Sequence, residues 1–264
     1  MNRIEEKMAY LQEKKEKAFI TYMTAGLPDL TKTKELIKAQ EEAGIDVIEL
    51  GIPFSDPVAD GPVIQDASYR SILNGTTLAK VFEIMKEIRK DGAEVPILFM
   101  MYYNTIYHYG IEKFVKECVA SGVDGLIVPD LPFEEQKELA DELAKYENSP
   151  IIIQLVSPVS KQRIPMILEN ARGFVYCVSQ MGVTGNEANF HARIREYLSE
   201  VAKVSTIPVM MGFGIREAKD VKPVSDIIDG AIVGSHFIKL LENNNYNAED
   251  AKDYIRTFKK ELNE

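Results

Sequence analysis

Residues 42–51 read EAGIDVIELG, and residues 120–130 read ASGVDGLIVPD. Both leave a helical pattern through a glycine and an aspartate and enter a short apolar run. A weaker copy, DGAIVGS at 229–235, stands near the C-terminus. Glycine suits a helix C-cap, and a short run rich in Val and Ile suits a buried strand. A helix-to-strand junction that recurs in this way implies a parallel sheet covered by helices on both faces.

Outward from these junctions, further strand candidates are AFITYMT (18–24), PILFMMY (96–102), PIIIQLV (150–156), GFVYCVS (173–179) and IPVMMG (207–212). Amphipathic stretches lie between them, several ending on a glycine such as Gly44, Gly92 or Gly122. Eight strand–helix units in about 250 residues match a (β/α)8 TIM barrel. A doubly wound open sheet is the rival, but TAGLPDLT after the first strand contains no G-x-G-x-x-G. The chain therefore reads as one barrel domain over 1–264 with an extra helix at each end. In the first, NRIEEKMAYLQEK, Asn2 and Glu5 have capping-box spacing, and Ile4, Met8 and Leu11 share one face. It is expected to plug the barrel bottom, and NAEDAKDYIRTFKKELNE is expected to pack outside.

The 264 residues are 45% hydrophobic and 27% charged, which suits a large soluble core. A net charge of -10 argues against nucleic acid or an anionic membrane as partner. Cys118 and Cys177 have no C-x-x-C spacing and read as buried thiols in a reducing compartment. The N-terminus lacks an apolar signal core, and the longest apolar run, VPILFMMYY, is half of a membrane span. A cytoplasmic location is expected.

Within DVIELG, Glu49 breaks an apolar run. Strand alternation puts Val47, Glu49 and Gly51 on one face and Ile48 and Leu50 on the other. Ile48 and Leu50 suit the helices, which turns Glu49 into the barrel near its C-terminal mouth, where barrel enzymes keep their chemistry. Desolvation there should raise its pKa toward neutrality, so that it can both give and take a proton. A structural ion pair is the other reading, but no Lys or Arg stands at a neighbouring strand end. Asp60 follows in a loop stiffened by Pro53, Pro57 and Pro62. Alone, its Asp-Gly is an ordinary turn; beside Glu49 it becomes a second proton carrier. Asp56 is expected to cap or to face a partner.

GFGI (212–215) and VGSHF (233–237) follow the last two strands, where barrels frequently bind phosphate on backbone N–H groups and a helix N-terminus. Gly212, Gly214, Gly234 and Ser235 are the candidates. SQMGVTGNEANF (179–190) is Gly-rich and aperiodic and reads as a lid. No strand ends in the lysine that a Schiff-base aldolase needs. His108, His191 and His236 are scattered without ligand spacing, so no metal site is expected. What remains is cofactor-free carboxylate chemistry on a phosphorylated substrate. A sugar-phosphate isomerase would share the phosphate turns but would want a polar pocket.

ELGIPFSDPVADGPVIQ (49–65) closely resembles the signature of the tryptophan synthase alpha subunit family. AFITYMTAGLPD, MYYNTIYHYG, VPDLPFEE, GVTG, GFGI and IVGS recur in that family's order over essentially the whole chain. The resemblance implies a lyase that cleaves indole-3-glycerol phosphate to indole and glyceraldehyde 3-phosphate in L-tryptophan biosynthesis. It places the principal acid–base role on Glu49 and the partner carboxylate on Asp60. Its indole pocket maps onto Tyr22, Met100, Ile127, Ile153, Tyr176, Phe213 and Ile232, and its phosphate site onto Gly185, Gly214, Gly234 and Ser235. Thr184 becomes the lid residue near Asp60, and Tyr102 and Asp130 line the mouth, with a helix cap the other reading of Asp130. The family docks on a beta subunit that carries pyridoxal phosphate, in a two-alpha, two-beta assembly, through surfaces matching the Asp56 loop and the segment at Pro132. Asn186-Glu187 after GVTG, SPVS after strand five, and Met210-Met211 in strand seven depart from the usual pattern.

Overall fold

Strand parity sorts the apolar residues into an inner and an outer core. In the computed structural model, which describes residues 2–178, 187–212 and 214–264 (187–191 by backbone alone), the strands are β1 (Ala18–Thr24), β2 (Val47–Gly51), β3 (Ile97–Met100), β4 (Gly125–Ile127), β5 (Ile151–Ile152), β6 (Gln154–Val156), β7 (Val175–Val178), β8 (Val209–Gly212) and β9 (Gly230–Val233). They pair in parallel in the order β5-β4-β3-β2-β1-β9-β8-β7-β6. The two ends of that order, β5 and β6, are separated in the chain by Ile153 alone, whose N–H donates to Leu126 O at 2.9 Å. The sheet therefore closes on itself, and the nine segments fill the eight expected strand positions. The fifth is one run interrupted by a residue.

Phe19, Ile48, Leu50, Phe99, Leu126, Cys177 and Met211 point outward into the core shared with the helices. Val47, Leu98, Ile127, Ile151, Met210 and Ile232 point inward. The helix Arg3–Lys14 seals this inner core from below with Ile4, Met8 and Leu11, and its Asn2–Glu5 capping box is formed. Met210 and Met211 thus fill one core each. Outside, Phe258 on the final helix, Ala248–Asn263, stacks on Phe19 with ring centroids 4.0 Å apart. Gly44, Gly92 and Gly122 all take positive φ after their helices, as C-cap glycines do.

The recurring Asp has a structural reason. The Asp46 carboxylate accepts the N–H of Phe19 at 2.9 Å, Asp124 that of Ile97 at 2.8 Å, and Asp229 that of Val209 at 2.7 Å. Each latches the start of its own strand to the strand beside it, satisfying a backbone donor at the bottom of the barrel. Lys259 adds an ion pair to Asp46 at 2.7 Å, and Arg89 one to Asp124 at 2.7 Å. No helix among the described residues is long and apolar enough to cross a membrane.

Candidate active site

At the opposite end of the barrel a cavity of about 940 Å³ opens among the loops that follow the strands. Its floor is built from one inward side chain of each of five strands: Met100, Ile127, Leu155, Tyr176 and Ile232. Such a floor is apolar and aromatic, the surface that a flat heteroaromatic ring wants.

Glu49 lies just below. It is 1% exposed, and among the described residues its Oε1 has no hydrogen-bond partner. Burial alone pushes its carboxyl up to about 8, with no cation offsetting the cost. It pairs in register with Tyr22 on β1. Glu49 and Asp60 together hold the Tyr22 and Tyr176 hydroxyls further above their ordinary range, behind the dominant effect of burial. Each tyrosine therefore lies within electrostatic reach of both carboxyls. Tyr22 and Tyr176 fit only because glycines stand beside them. A Cβ on Gly51 would lie 2.0 Å from the Tyr22 hydroxyl, and one on Gly212 would lie 2.5 Å from the Tyr176 ring. At two seams of the barrel a strand ends in glycine so that the neighbouring strand's tyrosine can cross it.

Asp60 sits on the cavity wall, at the end of the loop after β2 and just before the helix Pro62–Leu73. Its Oδ2 accepts the Tyr102 hydroxyl at 3.1 Å, and the Ala59 N–H donates to the same hydroxyl oxygen at 2.9 Å. Phe54 stacks on Tyr102 at 5.0 Å, so one tyrosine pins the loop at two points. Burial raises Asp60 to about 6, and the Tyr102 hydrogen bond opposes that rise. Asp56, by contrast, is exposed, and its carboxylate accepts from the Ser55 hydroxyl next to it.

The other expected residues separate cleanly. Met100, Ile127, Tyr176, Ile232, Gly214, Gly234 and Ser235 line the cavity with Asp60. Tyr22 and Ile153 are buried in the barrel wall, 4% and 1% exposed, and Tyr102 acts from behind Asp60. Asp130 is exposed and accepts the N–H of Tyr103 at 2.8 Å, within the first turn of the helix Tyr103–Tyr109. It thus caps the preceding unit's helix and not the segment that follows it. Thr184, Gly185 and Phe213 lie outside the described residues, as does the lid stretch up to residue 186. The last four residues of that stretch, 187–190, already belong to the helix Glu187–Val204, so the expected lid is four residues too long. Alanine and glutamate in NEANF favour helix over loop, a preference that aperiodic polarity conceals.

At the far end of the cavity Ser235 opens the helix Ser235–Asn243 with Gly234 as its N-cap. Free N–H groups and the positive end of the helix dipole there suit an anion. This helix is clamped to Pro62–Leu73 through Arg70, which bonds Glu242 and, at 3.1 Å, the Tyr246 hydroxyl. The element behind Asp60 and the element that builds the anion end are therefore fastened together. Leu155, Ile64 and the side chains of Arg216, His236 and Lys239 also line the cavity and were not singled out from sequence. Lys239 was within reach of such reasoning, because it stands four residues after Ser235 on one helix face. Among the described residues no group of three or more His, Cys, Asp or Glu is arranged to hold a metal.

A sequence model described as tryptophan synthase alpha chain matches residues 8–264. The tryptophan synthase alpha chain of Lachnospira eligens is 70% identical over 263 residues, covering 100% of both chains. The crystal structure of tryptophan synthase subunit alpha from Legionella pneumophila superposes with a TM-score of 0.88 at 31% identity, over 99% of this chain and 98% of that one. A chain in a crystal structure of tryptophan synthase from M. tuberculosis gives a TM-score of 0.87 at 27% identity, with 100% of both chains covered.

Proposed function

The chain belongs to the tryptophan synthase alpha chain family, and we propose that Glu49 and Asp60 are the two proton carriers of its reaction. It is a lyase that cleaves indole-3-glycerol phosphate to indole and glyceraldehyde 3-phosphate in tryptophan biosynthesis, and its partner is a tryptophan synthase beta subunit. The observation that carries the residue assignment is Glu49, a buried carboxyl with no hydrogen-bond partner on one oxygen among the described residues, raised to about 8, with Asp60 on the cavity wall raised to about 6.

At neutral pH that pair holds one proton, on Glu49. The indole ring lies on the floor of Met100, Ile127, Tyr176 and Ile232, with Tyr22, Ile153 and Phe213 around it. Glu49 protonates the ring carbon that bears the glycerol chain, and Asp60 accepts from the ring N–H as the indolenine forms. The carboxylate left on Glu49 then takes the proton of the adjacent glycerol hydroxyl. The carbon–carbon bond breaks, its electron pair restores the aromatic ring as Asp60 returns its proton to the ring nitrogen, and the hydroxyl carbon leaves as the aldehyde. Glu49 ends protonated, as it began, so the cycle needs no cofactor in this chain. Proton transfer of this kind contributes on the order of 10²–10⁴-fold, and positioning supplies much of the rest. The phosphate is held by Gly185, Gly214, Gly234 and Ser235. The resemblance gives Thr184 the lid role and places Tyr102 and Asp130 at the mouth.

The continuous sheet supports reading residues 1–264 as one domain. A two-alpha, two-beta assembly, pyridoxal phosphate confined to the beta subunit, and a cytoplasmic location complete the proposal. The test is indole release from indole-3-glycerol phosphate by the chain with its beta subunit. Asp60→Asn should lose about 10²-fold in turnover with its fold intact. Normal turnover by that variant removes Asp60 from the mechanism.

A further inference from the structure

A protein of net charge -10 repels a phosphorylated substrate, yet its cavity takes one. Three basic side chains stand at the phosphate end of that cavity: Arg216 in the loop after β8, and His236 and Lys239 on the helix that Ser235 opens. All three line the same cavity, and Arg216 and Lys239 both act on His236. Glu217 also lines the cavity, and Glu217 and Asp220 both act on His236, but each carboxylate has a partner of its own. Glu217 pairs with Lys219 at 2.5 Å, and Asp220 accepts the backbone N–H groups of Arg216 and Glu217 at 2.8 and 3.0 Å. Among the described residues neither Arg216 nor Lys239 forms an ion pair through its side chain, so both charges are left to face the cavity.

The arrangement is braced from outside the barrel. Tyr254, on the helix Ala248–Asn263, donates its hydroxyl to the carbonyl of Arg216 at 2.8 Å, and its ring lies 5.6 Å from that of His236. We propose that Arg216 and Lys239 form a cationic rim that recruits the doubly charged phosphate of the substrate onto the backbone groups of Gly214, Gly234 and Ser235, with Tyr254 as a positioning residue for the rim. This rests on the phosphate-end reading given above and extends it from backbone groups to side chains. Burial first, and Arg216 next, lowers the His236 pKa, so at pH 7 the charge is that of Arg216 and Lys239 while His236 packs against Tyr254.

Both cations are exposed, so their effect is long-range and screened by salt. The test compares wild type with R216Q/K239Q, each with its beta subunit, on indole-3-glycerol phosphate at low salt and at about 0.5 M salt. The double variant should raise KM about threefold to tenfold at low salt, leave kcat within about twofold, and converge with wild type at high salt. Inhibition by glycerol 3-phosphate should weaken in parallel, and turnover of the dephosphorylated indole-3-glycerol should not change. Y254F should produce a smaller, equally salt-sensitive rise in KM. Unchanged KM in the double variant, or a rise that salt does not reduce, overturns the rim, and a Y254F indistinguishable from wild type removes the positioning role. S235D separates the two layers of the argument. If it leaves glycerol 3-phosphate inhibition intact, the phosphate-end reading itself fails; if it abolishes inhibition while R216Q/K239Q does nothing, only the rim fails.

Discussion

Asp46, just before β2, and Glu49, at the middle of that strand, stand three residues apart, and both are sealed from water, at 0% and 1% exposure. Asp46 accepts the Phe19 N–H and pairs with Lys259, while Glu49 has only burial acting on it. The contrast extends in part around the barrel, where Asp124 is buried and Asp229 is exposed. The bottom carboxylates of Asp46, Asp124 and Asp229 each latch a neighbouring strand, and the carboxyls at the top, Glu49 and Asp60, are held above their ordinary pKa by burial. Burying an acid is expensive. At Asp46 an N–H and a lysine meet that cost, and at Asp124, still raised by burial, Arg89, Ile97 and Arg3 pull it back. Glu49 has no such partner, and the cost stays as proton affinity that chemistry can use.

The sharpest way to break this comparison is to remove each carboxylate in turn. Glu49→Gln should abolish turnover by on the order of 10³-fold while the protein melts at the wild-type temperature or above it. Loss of stability comparable to the loss of activity would mean that Glu49 is a structural group like Asp46. Asp46→Ala should do the reverse, costing about 2–4 kcal/mol in denaturant unfolding because a buried N–H and an ion pair lose their acceptor. Turnover per folded molecule should hold. A stable but inactive D46A would erase the distinction.

Next in size come the effects of pH. With Asp60 ionising near 6 and Glu49 near 8, kcat/KM should rise through pH 6 and fall through pH 8. The stability change has a fixed sign. Glu49 in the folded protein keeps its proton up to about 8, against 4.5 ordinarily, so the folded state holds a proton that the unfolded chain has lost. Its contribution is fully present below pH 4.5 and is lost as pH rises to 8, on the order of a few kcal/mol. Chemical denaturation across that window should show the decline in wild type and a shallower one in Glu49→Gln. Parallel curves would contradict the unpartnered carboxyl.

The smallest effect concerns the tyrosines that frame the site. Gly51→Ala puts a Cβ 2.0 Å from the Tyr22 hydroxyl, so the ring must move. A loss of about tenfold in kcat/KM is expected from the displaced ring, with about 1–3 kcal/mol of stability lost to overpacking. Wild-type kinetics would show that Tyr22 takes no part in positioning the substrate.

How much of this could be read from the residues differs by level. The barrel followed from eight β-rich runs alternating with helical ones, and the inward turn of Glu49 followed from Ile48 and Leu50 needing the helices. The echo of EAGIDVIELG in ASGVDGLIVPD carried more than topology, since its aspartate is the strand latch, but a hydrogen bond to a neighbouring strand has no trace in linear spacing. The break of the fifth strand at Ile153 was invisible for the same reason: PIIIQLV is uniformly apolar. Gly51 read as a strand residue on the face of Glu49 and Gly212 as a phosphate candidate, and their use beside the tyrosines becomes apparent only when Tyr22 and Tyr176 arrive from adjacent strands. Arg216 was hidden by belonging to a different unit from His236 and Lys239, and Tyr254 by lying on a helix whose periodicity speaks only of packing.

The central claim is that Glu49 is a neutral acid at pH 7 because nothing but burial acts on it. Infrared difference spectroscopy of wild type against Glu49→Gln reads this directly, through the carbonyl stretch of one protonated carboxyl. The account predicts that this band is present at pH 7 and disappears with a midpoint near 8. A Glu49 already ionised at pH 6 would contradict it.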